Sequence, residues 1–291
     1  MPYTDPPQRS FVPSGLAGVS PAPAANPAAL GASHPWTTVS YTDLPRFDAA
    51  AVRSQWERLH GGQGRPPPPE GVLAEGWVHY HNGDFERAAA IGLQQGPDGP
   101  GLALANQATA IYANYLEPRD NLRLALLRQV AERAGQRVRM APDDSDAHYW
   151  HAYALGRYSQ GISVARALAQ GLGSQVKDAL EHVIALRPAH ADAHVALAAF
   201  HAEVIDKVGP LVGRMTYGVR AETARTLFER AFALNPHSAS ALMEHARALV
   251  MLEGEAAVAE ATRLYERAAS LEPADVRERL DQELARAGLR D

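Results

Sequence analysis

Residues 221–236, AETARTLFERAFALNP, decide the fold, because residues 259–273, AEATRLYERAASLEP, repeat their logic. Ala224, Phe228, Ala231, Leu234 and Pro236 stand at offsets 0, 4, 7, 10 and 12, and Ala261, Tyr265, Ala268, Leu271 and Pro273 stand at the same offsets. Such spacing puts the side chains on one face of an α-helix. The face alternates small and large residues and then meets a proline, which disfavours continuation of the helix. Each copy therefore reads as the second helix of a two-helix unit.

Taking the closing proline as a marker finds Pro100, Pro142 and Pro188 upstream, and the five prolines are 42, 46, 48 and 37 residues apart. From Glu70 onward the apolar spacing is helical, with no alternating run of the kind strands show. The first unit reads Gly76, Tyr80, Gly83, Phe85, Ala88. The second pairs a helix near 102–116 with one near 121–140, and the third opens on HYWHA at 148–152 and closes on Leu180, Val183, Leu186 and Pro188. Gly76, Ala110, Ala152, Ala198 and Ala246 share one register, where two helices must approach closely. Each hairpin alone leaves an apolar face bare, and stacking buries it.

This is the pattern of the tetratricopeptide repeat. It predicts an all-α protein: a tetratricopeptide-like right-handed superhelix of about five helical hairpins over residues 70–291, closed by a C-terminal capping helix at 274–289. Residues 1–45 carry nine prolines and few large apolar side chains, which predicts disorder. Within 46–69, Phe47, Val52, Trp56 and Leu59 with Asp48 as a cap predict a short helix, followed by a polyproline linker at Pro66 to Pro69.

With 46% apolar residues in 291, the chain can bury a substantial core. No apolar run of ~18 residues appears, so no transmembrane segment is expected. The first residues lack a signal-peptide pattern, and the expected location is cytoplasmic. The absence of cysteine excludes disulfides, thiolate catalysis and cysteine-ligated metals. A net charge of -5 without a Lys/Arg block gives no reason to expect nucleic acid as a partner.

In such a superhelix the first helices line the concave face. The shared register puts Trp77, Tyr80, Gln107, Asn114, Tyr115, Tyr149, Tyr153, Arg157 and Arg247 there, an aromatic groove suited to a peptide. Two units are lengthened by insertions at 161–173 and 202–220, which neighbouring repeats should bring into contact. They read either as extra core or as a pocket wall built from Ile162, Leu168, Lys207, Leu211, Arg214, Met215 and Tyr217. An apolar wall with a few cations suits an amphiphile or an acidic peptide. Ser174 is placed to cap the helix after the first insertion.

Twelve histidines raise the question of metal. His190 and His194 are spaced i, i+4 and His148 and His151 i, i+3, but His148 and His194 share one repeat register, which periodic packing explains. No metal site and no cofactor are expected. Zincin, phosphate-loop, dinucleotide and nucleophile-elbow motifs are missing. Asp143, Asp144 and Asp146 read as a helix start.

The order HYWHAYALG, short insertion, VIALRP, DAHVALAAFHAEV, longer insertion, FERAFALNP resembles the regulator of microtubule dynamics family. It is also similar to uncharacterised bacterial repeat proteins with a segment like YALGRYSQGIS. The resemblance covers roughly the C-terminal 150 residues. It implies a helical binding domain, cytoskeletal or membrane-proximal partners and, in some members, a lipid groove. The expected function is a non-catalytic protein-interaction scaffold that binds a peptide in the aromatic groove. The alternative is a carrier or sensor of an amphiphilic, lipid-like small molecule held between the insertions. A hydrolase is a weaker third reading and needs a convergent triad.

Overall fold

The computed structural model describes residues 35–67, 70–96 and 98–290. Asp48 opens the first helix by accepting the N–H of Ala51 at 2.8 Å, and α1 (Ala49–Ser54) and α2 (Trp56–Leu59) follow. The first hairpin is α3 (Val72–His81) with α4 (Phe85–Gln94), and the second is α5 (Leu102–Tyr115) with α6 (Asp120–Met140). The third unit contains α7 (Ser145–Gln160), the short α8 (Val164–Ala169) and α9 (Leu172–Leu186). The fourth contains α10 (Ala191–Val208), α11 (Pro210–Tyr217) and α12 (Ala221–Leu234). The fifth, α13 (Ala239–Glu253) and α14 (Val258–Ser270), leads into α15 (Val276–Gly288). Among the described residues no helix is long and apolar enough to cross a membrane.

The closing prolines also time the next helix. Two residues after Pro142, Pro188, Pro236 and Pro273 stand Asp144, His190, Ser238 and Asp275, and each side chain accepts the N–H three residues further on. Proline stops one helix and the residue two further on starts the next. The small-residue register behaves as packing demands: Ala110, Ala152, Ala198 and Ala246 are buried. A Cβ on Gly76 would lie 2.5 Å from Leu104.

Four sequence expectations need correction or relocation. Residues 1–34 lie outside the described residues, but 35–45, expected to be disordered, are docked. Trp36 stacks on Tyr112 at 4.3 Å, and the Val39 N–H donates to the Gly83 carbonyl. The short helix before the repeats is no separate linker unit, since Phe47, Val52 and Trp56 share one buried cluster with Trp77, Tyr80 and Phe85. Val276 and Leu280 of α15 belong to that same cluster, so this helix does more than cover the last repeat. It reaches back to the first, and the superhelix closes on itself. Finally, α9 begins at Leu172 with Gly171 before it, which leaves Ser174 inside the first turn.

Gly83 marks the seam of this closure. Its φ of +85° is a left-handed conformation that favours glycine, and a Cβ there would sit 2.1 Å from the Val39 carbonyl and 3.0 Å from Val276. Gly83→Ala should lower stability by about 1–3 kcal/mol in urea denaturation.

His190 is the unusual cap, because its Nδ1 must be unprotonated to accept the Ala193 N–H. Burial pushes its pKa down to about 3, and Asp146 only partly offsets this. The unfolded chain takes up the proton near the ordinary histidine value of about 6.5. Between those values only the unfolded state is protonated, so stability falls as pH drops through the window. His190→Asn retains a capping acceptor without titrating, and its thermal midpoint should fall less between neutral and acid pH than that of the parent chain.

Candidate functional site

The residues expected to line the concave face find most of their partners within the chain itself. Trp77 receives the edge of Trp56 at 5.5 Å, with the Arg65 guanidinium 5.1 Å from its ring. Tyr80 accepts from Gln107 at 2.9 Å, and Tyr149 lies against the His190 ring at 4.5 Å. Tyr115 donates to Asp281 of α15 at 2.5 Å. Arg157 lies 5.5 Å from the Tyr153 ring and donates to Glu244 at 2.6 Å, while Arg247 donates to Tyr265 at 3.1 Å. Asn114 is half-buried. The loop after α2 and the N-terminal half of α15 thus pack against these residues.

Charge organises this interior. Arg277 pairs with Asp281 at 3.3 Å. Burial opposes its charge, yet Asp281, Tyr115 and Asp192 outweigh that and hold the guanidinium pKa above its usual range. Burial raises Asp281 to about 6, which Arg277 and Tyr115 only partly offset. Arg65 and Arg187 flank Asp146 at 3.1 and 3.4 Å. Burial would raise that carboxyl, but the two arginines bring it below its usual range. A Cβ on Gly62 would lie 2.2 Å from Asp192, so only glycine lets the loop lie this close to the start of α10. Gly62, Asp192 and Arg277 border a chamber of about 40 Å3. Gln63 Oε1, Gln107 Oε1 and Trp150 Nε1 belong to its lining residues and have no hydrogen-bond partner among the described residues, a pattern that suits buried water.

Four histidines bond to backbone groups. His148 and His194 each bond through Nε2 to the carbonyl of the proline six residues earlier, Pro142 at 2.7 Å and Pro188 at 3.0 Å. His151 Nδ1 donates to the Ala131 carbonyl, and His201 Nδ1 accepts from the Arg220 N–H. The arrangement nearest to a catalytic relay is Asp275, His81 and His60, linked at 2.6 and 3.2 Å. All three are buried, and the relay ends on an imidazole where a hydrolase triad needs a nucleophile.

The two insertions meet where Tyr217 covers Gly173, whose Cβ position lies 3.0 Å from the tyrosine ring. The other residues expected to form a wall are half-buried or exposed. Ile162 is half-buried, Leu168 and Arg214 are exposed, and Lys207 pairs with Glu203 at 2.6 Å. Leu211 and Met215 are 70% and 80% exposed. A cleft of about 410 Å3 does border the first insertion, through Arg166, Gln170 and Leu172, with α6 and α7 as its other walls. None of the seven expected wall residues lines it, and nothing from 202–220 does. Its α7 residues, His151, Leu155 and Tyr158, lie two positions or one position out of step with the inner stripe of Tyr149, Tyr153 and Arg157. That offset is the one sequence signal that could have located it.

No family model matches this sequence, and no curated protein matches it. Among solved structures, a thermophilic TPR protein of Thermus thermophilus is similar at 19% identity with a TM-score of 0.51. The match covers 74% of this chain and 96% of that one. The likeness establishes a tetratricopeptide-like fold.

Proposed function

We propose that this protein is a non-catalytic interaction scaffold whose concave groove binds a helical segment, and that here the segment is its own α15. The observation that carries the reading is the set of bonds from the groove and the α2 region to that helix. Tyr115 donates to Asp281, Arg58 donates to Glu278 at 2.7 Å, and Asp275 accepts a hydrogen bond from His81 Nδ1. A helix with acids on one face, seated on tyrosines and an arginine, is the ligand type for which this groove is shaped. A partner segment of the same character competes with α15 for it. The exposed Leu211 and Met215 give the lipid-carrier reading no enclosed apolar wall, and the buried histidine relay gives the hydrolase reading no reachable nucleophile.

Reversal of the latch tests this. Arg58→Glu should speed amide hydrogen exchange in α15 and increase the protein partner recovered by affinity purification from the native host. Adding Glu278→Arg should reverse both changes. Rapid exchange of α15 in the parent chain, equal recovery from all three proteins, or recovery of lipid alone would overturn the proposal.

A further inference from the structure

We infer that the outer cleft between α6, α7 and α8 is a second docking site, shaped for an acidic protein segment that carries an apolar side chain beside its carboxylates. The choice of a protein ligand rests on the scaffold reading above. The site itself does not depend on the groove being open, because it lies on the side of α7 away from Tyr149 and Tyr153.

The first indication is the helix that forms one wall. None of the residues of α8 is buried, and Val164 and Leu168 are about half exposed. Ordering each residue costs roughly 1–2 kcal/mol of backbone entropy, and α8 offsets none of it by core burial. What it does is raise a wall that carries Arg166 opposite α6.

The second is charge. Arg128, Arg139 and Arg166 border the cleft against a single acid, Glu132, which is 3.5 Å from Arg128. Among the described residues no carboxylate lies within 4.0 Å of Arg139 or Arg166. This cationic concentration stands out in a chain of net charge -5. Guanidinium groups recognise carboxylates through paired N–H donors.

The third is the floor. A Cβ on Gly135 would lie 3.0 Å from the His151 ring, so glycine lets this ring settle against α6. Its Nδ1 proton is committed to Ala131, and burial pushes its pKa down. The neutral ring therefore keeps Nε2 as an acceptor. A peptide has N–H groups for that acceptor. Leu155 and Leu172 provide apolar floor beside it, and about 410 Å3 has room for several side chains.

Fluorescence anisotropy on the full-length protein tests the site, with a fluorescein-labelled Glu/Leu/Gly peptide as probe. The parent chain should bind it, and Arg139→Gln combined with Arg166→Gln should weaken binding by at least about tenfold at an unchanged thermal midpoint. Arg263→Gln, on the exposed side of α14, should leave affinity unchanged, and a peptide with Lys in place of Glu should not bind. Four results would overturn the inference: no binding of the Glu peptide, indifference to the double substitution, equal binding of the Lys peptide, or displacement by inorganic phosphate. If Arg58→Glu strengthens binding while the double substitution has no effect, the peptide occupies the concave groove. The cleft assignment then fails and the groove reading stands.

Discussion

Asp275 joins the first hairpin to α15 with one side chain. Oδ1 accepts the Glu278 N–H and starts α15, while Oδ2 accepts a hydrogen bond from His81 Nδ1 of the first hairpin. Burial alone would raise the pKa of this carboxyl, but His81 and Arg277 outweigh it and hold the value below the ordinary range. A buried carboxylate is tolerated only when so partnered. Its position puts Arg277 and Asp281 inside the superhelix, and through them the inner tyrosines meet a helix instead of solvent.

The repeat architecture was legible because its signals are local. Pro142, Pro188, Pro236 and Pro273 announced the helix stops, and the alanines at one register announced the crossings. The residues that fill the interior were not legible in that way. Trp56, His60 and Arg65 precede the repeats, and Asp275, Arg277 and Asp281 follow them, so the period assigns them no partner. The contact of Arg58 with Glu278 spans 220 positions, which no helical spacing can signal. The expectation that 274–289 only covers an exposed end followed from treating the solenoid as open.

The histidines show how one register supports different chemistry. At the position two after a closing proline, Asp144, Ser238 and Asp275 are ordinary caps, while His190 does the same work with a ring nitrogen and becomes sensitive to acid. At the position six after it, His148 and His194 return to the proline carbonyl and help shape the turn. Both roles exclude metal ligation by the atoms involved, although spacing alone had made these rings look like a ligand set. On α7 the division is spatial: Tyr149 and Tyr153 face the enclosed interior, and His151 and Leu155 face the outer cleft.

An open solenoid is nearly one-dimensional, since each repeat touches only its neighbours and the ends can fray one unit at a time. Closure through Asp275 and His81 removes that freedom. Peeling away α15 uncovers the cluster of Phe47, Trp77 and Tyr80, so the first hairpin cannot keep its full stability once the last helix leaves. The ring should therefore melt as one cooperative unit in place of a series of frayed stacks. Because α15 is made after every repeat, the interior of the first three units lacks Arg277 and Asp281 until that helix has been synthesised.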